Sequence, residues 1–560
     1  MWYLSVSFML SDNSNISAFV NAIAHSGELH EQEWVHASTL KESVAKLTQA
    51  IINLNNSEAL QNLTIDSREV NSSSIFIALY GSTGNGHDYI DTAVQQGCQL
   101  VLAETRSAEA HFSVSEPHHA RGTYVVAVFE LGRKLPQLAA VFYQLPPDIE
   151  LLAVTGTNGK TSVANVCANL YQQCNRQSAS IGTLGVHTWQ NSNDATHLAP
   201  HQYATTRNTT PDVTTMFKHL AQLSEQDIKH IVIEASSHGL QQGRLQGLPI
   251  STAIFTNLTQ DHLDYHASMA DYANAKRLLL NVPSVKTVVL NADDKESQHW
   301  AKQANTTQHI YWFAIAQVTK LEDEQALGCW AKNIRYSNKG SQFTLGSSWG
   351  TAEVNLPLIG HFNVSNLLAS ACALLANGES FTSIIKAIPH LRGVAGRMEL
   401  FASNKASILV DYAHTPDALK QALIAARAHT SGKLICVFGC GGDRDTSKRA
   451  IMGAMAERYA DEIWLTQDNS RSEPPKSIIN DILEGIQNQS SVNIDIDRKQ
   501  AIANAWHQSS NEDMILVAGK GHEDYMETLG QQLEYNERAY VQQLLNPSEP
   551  NVGVSAKESL

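Results

Sequence analysis

The chain has 560 residues, 43% of them hydrophobic and 17% charged, with a formal net charge of −15. That length exceeds one ordinary core and points to about two to four domains. The acidic balance excludes a global basic field for nucleic acid, so an anionic ligand must meet local cations, and no window approaches the roughly 18 consecutive apolar residues of a transmembrane helix.

The opening MWYLSVSFML is apolar, but its first positive charge is Lys41 and no small-residue cleavage site is clear, so a secretory signal is not expected. Cysteines stand at 98, 167, 174, 329, 372, 436 and 440, an odd number without a compact framework. That pattern suits a reducing compartment, and the cytoplasm is the expected location. Cys436 and Cys440 flank a strand end in ICVFGCGG, but no second Cys/His pair stands nearby to complete a metal site.

Residues 1–60 are polar and helix-leaning. From LTIDSREV onward come short apolar strands separated by turn signals, a helix at about 89–97 and the strand QLVLAE, which suggests a small α/β unit ending near residue 129. Residues 130–392 alternate strand and helix. LLAVTG, HIVIEAS, TAIFTNL and KTVVLNA are near-continuous apolar runs, as parallel strands buried on both faces require. This is a doubly wound, mainly parallel α/β sheet. VAGRMELF begins a third, smaller α/β unit, 393–560, with strands SILVDYA, KLICVFGC, EIWLTQ and MILVAGK. The tail NPSEPNVGVSAKESL is expected to fray.

The first strand of the central unit runs into Gly156-Thr157-Asn158-Gly159-Lys160-Thr161-Ser162. The pattern G-x-x-x-x-G-K-[ST] is incomplete, because Val154 stands where its first glycine belongs. The physics survives. A buried strand ends, glycines let the backbone approach phosphates, and a helix N-terminus supplies N–H donors. Lys160 can reach the β/γ-phosphates and the Thr161 hydroxyl can ligate Mg²⁺. The next strand ends carry Glu234, Ser236, Ser237 and His238, then Asp261, His262, Asp264 and His266. Ligands of open α/β sheets sit at the carboxyl ends of the strands.

TGTNGKTS, IEASSHGL, TNLTQDHLDYH, YANAKRLLL, GHFNVSNLLAS, GRMELF, VDYAHTPDAL, VFGCGGDRD and AGKGHE occur in that order. Together they resemble the Mur ligases of peptidoglycan synthesis over roughly residues 63–545, and GGDRD and GKGHE resemble the branch adding the third stem-peptide residue. About 60 residues precede TIDSR, more than the family usually has, and Met9 offers an alternative start.

The resemblance implies three domains: a UDP-muramoyl-binding unit, a central ATPase and a C-terminal dinucleotide-fold-like unit that binds the amino acid. It implies ATP-dependent amide formation through an acyl phosphate, with two Mg²⁺ ions. Catalysis is then expected from Lys160, Glu234, His262 and Lys276, with metal held by Thr161, Glu234, His262 and Lys276 as its carbamate. Sequence alone makes Lys276 an exposed helix lysine; only the resemblance gives it a role. ATP is expected on Gly156, Thr157, Asn158, Gly159, Lys160, Thr161 and Ser162, and on Asn363, Asn366, Arg397, Asp411 and, near the nucleoside, His414. Closure around a hinge at 391–396 is expected. UDP-N-acetylmuramoyl-L-alanyl-D-glutamate is expected to meet Ile65, Ser67, Ser82, Thr83, Gly84, Asn208, Thr209, Thr210, Ser236, Gln242 and Arg244. The partners are thus small molecules, with no nucleic acid or membrane insertion, and a monomer is expected.

The added amino acid turns on TQDNSRSEPP. In the resembling enzymes this place reads D-N-P-R where meso-diaminopimelate is added, and lysine-adding members lack the arginine. Here it is Asp468-Asn469-Ser470-Arg471. A second side-chain carboxylate asks for a planar cationic fork, supplied by Arg471 and Arg444. Asp468, Asn469, Ser470, Gly519 and Glu523 complete that expected site, and meso-diaminopimelate is expected over lysine. The rivals are a lysine-adding member, another Mur or folylpolyglutamate-type ligase, and a non-catalytic nucleotide-binding protein.

Overall fold

The computed structural model describes residues 13–24, 44–45, 47–49, 51–52, 54, 60–81, 84–114, 123–190, 200–259, 265–318 and 325–546. Within these, a four-stranded parallel sheet runs in the order Asn62–Thr64, Ser74–Ala78, Leu100–Thr105, Tyr124–Phe129. The expected helix near 89–97 is Ile90–Gln95, preceded by a 3₁₀ turn at Gly86–Tyr89.

The second sheet has eleven strands. Its parallel heart runs His309–Ala314, Thr287–Asn291, Ile250–Phe255, Glu150–Thr155, His230–Glu234, Ser178–Gly182. These are the continuous apolar runs of the sequence, and both faces are covered. Gly328–Ser337 adds one more parallel strand beside His309–Ala314, and antiparallel strands then extend the two edges, Gly340–Ser347 and Gly350–Leu356 at one and Gly185–Trp189 with His201–Ala204 at the other. Glu150–Thr155 comes first in the chain and lies inside the sheet, so successive strands are added on both sides of it. A crevice opens at the carboxyl end of such a strand.

The third sheet, six-stranded, is parallel except for its edge strand Glu399–Phe401. All four of its expected strands are present, at Ser407–Asp411, Leu434–Phe438, Glu462–Leu465 and Met514–Ala518.

The first two sheets share one apolar core. The helix Leu131–Tyr143 is amphipathic, and its Leu131, Leu135, Leu138 and Phe142 join Leu63 and Ile75 of the first sheet to Leu151 and Ile231 of the second. The helix Asn13–Ala24 docks on the same core through Ile16, Phe19, Val20 and Ile23, with the Phe19 ring edge-on to Phe142 at 5.5 Å. The other face of the central sheet is covered by the helices Lys160–Gln173 and His361–Ala376. The third sheet keeps its own core on each face.

His429 joins the third sheet's unit to the central one. Its Nε2 accepts from the Gly360 backbone N–H at 2.9 Å and its Nδ1 meets the Ser337 carbonyl at 2.9 Å. An N–H donor at Nε2 requires the neutral tautomer with the proton on Nδ1. Burial lowers the imidazole's pKa, which favours the same neutral form. Because the folded value lies below the unfolded one, the stability from this contact is present above about pH 6.5 and is lost as pH falls below it. His429→Phe should cost about 1–3 kcal/mol at pH 8, the penalty for an unpaired buried N–H. Denaturant titrations of both proteins from pH 8 to pH 5 should show that difference shrinking with acidity; a gap independent of pH would contradict the assignment.

Candidate functional site

The phosphate loop is fixed by its neighbour strand. Gly156 has φ +151°, and a Cβ there would lie 1.8 Å from Thr256 Oγ1. Gly159, φ +87°, caps the helix Lys160–Gln173, and a Cβ there would lie 2.7 Å from Asn366 Oδ1. Thr256 Oγ1 donates to the Asn158 carbonyl at 2.6 Å, and the Asn158 N–H donates to Asn257 Oδ1 at 3.0 Å. Lys160 curls over the loop, its Nζ 2.9 Å from the carbonyl oxygens of both Gly156 and Thr157.

A cavity of about 330 Å³ opens above it, lined by Thr157 through Ser162 and by Thr183, Thr209, Glu234, Ser236, Tyr272, Lys276 and Arg397. Glu234 is 2% exposed. Its Oε2 accepts from the hydroxyls of Thr161 at 2.9 Å and Thr183 at 3.1 Å, and its Oε1 from the Thr183 N–H at 2.9 Å. Burial raises the Glu234 carboxyl pKa, while these hydrogen bonds and the Lys160 charge oppose the rise. Among the described residues Glu234 makes no ion pair. A buried carboxylate beside a loop hydroxyl is an oxygen donor set that fits Mg²⁺.

Lys276 corrects the bare sequence reading of an exposed helix lysine. It lies on the buried face of the helix Met269–Arg277, 1% exposed, with Nζ 2.7 Å from the Gly156 carbonyl and 4.3 Å above the Tyr272 ring. The Tyr272 hydroxyl donates to Thr157 Oγ1 at 3.3 Å. The expected residues Asp261, His262 and Asp264 lie outside the described residues, as do Ser82 and Thr83. His266 is buried, with Nε2 2.9 Å from Ser237 Oγ.

A second cavity, about 340 Å³, adjoins the first and shares Asn158, Ser162, Val394 and Arg397 with it. Asn363 and Asp411 line it as expected. Asp411 caps two backbone turns, accepting from the N–H groups of Met398 at 2.7 Å and Ala413 at 2.9 Å, and its carboxyl pKa is raised by burial. Asn366 sits behind the wall, donating to Asn363 Oδ1 at 3.1 Å and filling the space opposite Gly159.

The third cavity, about 380 Å³, gathers Arg444, Asp468, Asn469, Arg471, Gly519 and Glu523, together with Tyr412, His414 and Lys448. Gly519, φ +120°, leaves room for Asp468, whose Oδ2 would meet a Cβ there at 2.4 Å. Arg471 has φ +50°; its Nη1 donates to the Gly442 carbonyl at 2.8 Å and its Nε lies 3.2 Å from Glu527. Ser470 is buried beneath the wall, 3.4 Å from Thr528 Oγ1. The sequence reading missed Lys520, fully buried, with Nζ 2.9 Å from both Asn469 Oδ1 and Glu523 Oε2. Its signal was the quoted GKGHE.

A larger cavity, about 1050 Å³, lies between the first two sheets. Ile65, Ser67, Asn208, Gln242 and Arg244 line it. Arg244 donates to the Thr210 carbonyl at 2.6 Å and to Gln242 Oε1 at 3.0 Å. Thr210 is buried, and its hydroxyl donates to the Glu234 carbonyl and accepts from the Ser236 N–H. Gly84 is exposed and not part of the lining.

A phosphate loop at a sheet crevice, flanked by a large cavity on one side and a carboxylate-and-arginine cavity on the other, is the layout of a multi-substrate ATP-dependent enzyme. Residues 59–143 match the Mur ligase family catalytic domain, 154–374 the Mur ligase middle domain and 396–521 the Mur ligase glutamate ligase domain. The chain belongs to the Mur ligase family and is an ATP-dependent amide ligase. It is 40% identical over 476 residues to the UDP-N-acetylmuramoyl-L-alanyl-D-glutamate–2,6-diaminopimelate ligase of Haemophilus influenzae strain 86-028NP, a match spanning 84% of this chain and 93% of that one. Its counterpart in strain PittGG matches at the same identity and coverage. A solved structure of a ligase with that name is 32% identical, with TM-score 0.67, covering 87% of this chain and 95% of its own. MurF from Acinetobacter baumannii, 18% identical with TM-score 0.57 over 84% of this chain and 94% of its own, shares the fold. No helix among the described residues is long and apolar enough to cross a membrane.

Gly156→Ala should weaken ATP binding by about tenfold or more, since the new methyl strains a left-handed position and displaces Thr256. Calorimetry with a non-hydrolysable analogue checks this, and unchanged affinity would show that the loop tolerates the methyl group.

Proposed function

We propose that this ligase joins meso-diaminopimelate to UDP-N-acetylmuramoyl-L-alanyl-D-glutamate, using ATP, in peptidoglycan precursor synthesis. The observation that carries the reading is the cavity in which Arg444 and Arg471 stand with Asp468, Asn469, Gly519 and Glu523. Arginine forks suit the far carboxylate of diaminopimelate, and carboxylate and amide oxygens suit its ammonium groups. Lysine brings no second carboxylate to the forks.

The glutamate carboxylate attacks the ATP γ-phosphorus and ADP leaves, giving an acyl phosphate. The amine, having lost a proton, attacks the acyl carbon; the tetrahedral intermediate then expels phosphate and an amide remains. Carboxylate and γ-phosphate repel each other, so Lys160 acts by bringing the two anions together. Thr161 and Glu234, with His262 and Lys276 as its carbamate, would hold two Mg²⁺ ions, which supply further positive charge to the phosphates. The loop supports the carbamate. The Nζ atoms of Lys160 and Lys276 both meet the Gly156 carbonyl, at 2.9 and 2.7 Å. Converting one ammonium to a carbamate anion turns that repulsion into attraction.

The nucleotide then occupies the cavity of Asn158, Asn363, Arg397 and Asp411, with Asn366 supporting it. The UDP-muramoyl dipeptide occupies the large cavity of Ile65, Ser67, Asn208, Gln242 and Arg244. Thr209, Thr210 and Ser236 stand between it and the phosphate loop. The same reading divides the chain into units 1–129, 130–392 and 393–560, acting as a monomer in the cytoplasm. The odd, scattered set of seven cysteines is the ground for a reducing compartment.

The test is phosphate release dependent on both UDP-muramoyl-dipeptide and one amino acid. Diaminopimelate should give a far higher kcat/KM than lysine, and Arg471→Ala should erase most of that preference. Equal use of lysine by the wild type would overturn the specificity. Lys276→Ala should be nearly inactive and partly rescued by short-chain carboxylates, with added mass on Nζ visible in a crystallographic map of the wild type. An unmodified Lys276 in an active crystal form would remove the carbamate.

A further inference from the structure

The large cavity must take a nucleoside diphosphate if the proposed function holds, and this inference rests on that reading. Its lining includes Arg68, Arg207 and Arg244 as its only Arg or Lys side chains among the described residues. Arg244 is committed to the Thr210 carbonyl and to Gln242 Oε1. Arg68 grips Asp66 with a fork, Nε to Oδ1 at 2.9 Å and Nη2 to Oδ2 at 2.8 Å. Arg207 reaches across from the loop before the helix Val213–Glu225, pairs with the same Asp66 and lies 3.6 Å from Glu69.

Asp66 is therefore over-supplied. Its carboxylate takes both arms of Arg68 and the Arg68 backbone N–H at 3.0 Å, where it caps the turn Ser67–Glu69. The Arg68 hydrogen bonds, with a smaller part from Arg207, hold its carboxyl down at about 2. Losing Arg207 leaves this carboxylate ionised and still paired. Arg207 itself is 56% exposed and, among the described residues, pairs with these two carboxylates alone. A diphosphate offers more negative charge than one shared carboxylate, and oxygens spaced for a planar fork.

We infer that Arg207 is a substrate-binding residue, held here by Asp66 and transferred to the diphosphate of the nucleotide-linked substrate when that enters. Asp66 is then a competitor for the cation as well as a turn cap. The arrangement spans the first two sheets, 141 residues apart in sequence, so the transfer also couples the two walls of the cavity to the ligand.

The two partners should respond in opposite directions, which a merely structural ion pair would not do. Arg207→Ala should weaken binding of UDP, read by calorimetry on the full chain, by about tenfold, as loss of one charge-assisted contact does. It should raise KM for UDP-muramoyl-dipeptide by a similar factor and leave KM for ATP unchanged. Asp66→Asn keeps the turn cap and releases both arginines, so UDP should bind as tightly as in the wild type or more so, and Arg207→Lys should fall between wild type and Arg207→Ala. Arg207→Ala within twofold of wild type overturns the inference, and so does Asp66→Asn weakening UDP as Arg207→Ala does. Weakening confined to the dipeptide-bearing substrate assigns Arg207 to a carboxylate instead, which also overturns it. A wild type that binds UDP-muramoyl-dipeptide but releases no phosphate with any amino acid refutes the proposed reaction while leaving the Arg207 comparison readable.

Discussion

Gly156 and Thr256 stand too close for a single methyl group between them, and the phosphate-facing groups are placed from that contact. It draws the loop after Glu150–Thr155 onto the loop after Ile250–Phe255. The Gly156 carbonyl is left pointing where two lysines, from helices 116 positions apart in sequence (276 − 160), reach it. The Thr161 hydroxyl at the start of the next helix meets the buried Glu234 carboxylate. No one of these groups is unusual; their convergence depends on backbones that approach without side chains between them.

Much of this was legible because it repeats locally. Continuous apolar runs gave the parallel strands, and strand ends carrying Glu, Ser, Asp and His marked the crevice. The ordered motifs then assigned residues to three cavities, and Arg444, Asp468, Asn469, Arg471, Gly519 and Glu523 do share one. What was illegible is pairwise and distant. The burial of Lys276 depends on which face of a short helix meets the loop, and a nine-residue helix shows no clear stripe. Thr183 lies at a turn with no motif, yet it donates to Glu234 twice. Lys520 sits inside a quoted motif, but nothing in GKGHE says that its ammonium ties Asn469 to Glu523. The edge strands between Gly328 and Leu356 carry alternating exposure and lacked the continuous apolar signal of their neighbours.

An acidic chain holds anions here by spending its cations locally. Arg68, Arg207 and Arg244 face one cavity, Lys160 and Arg397 another, Arg444, Lys448 and Arg471 a third. Each set is balanced by nearby carboxylates, Asp66 and Glu69, Glu234, and Asp468 with Glu523. The net charge of −15 then describes the outer surface more than the crevice. Buried pairs such as Arg498 with Glu537 lie under the third cavity, where Arg498 also donates to the Ala518 carbonyl at 2.8 Å, just before Gly519.

The shared apolar core has a mechanical meaning. Sliding the first sheet against the second would bring Leu63, Ile75, Leu138, Phe142 and Leu151 into water, at about 25 cal/mol for each Å² uncovered. These two sheets therefore behave as one block, with the large cavity built into it at fixed width. Among the described residues the third sheet's unit meets that block through Ile359, the contacts of His429, the Asn338 side chain on the Asn511 carbonyl, and the stretch before Gly396, whose own backbone is pressed against Gly521. The cavity of Arg444 and Arg471 is lined entirely by residues of the third sheet's unit. A rotation of that unit against the block would carry an occupant of its cavity as cargo toward or away from the phosphate loop, while whatever sits between the first two sheets would stay still.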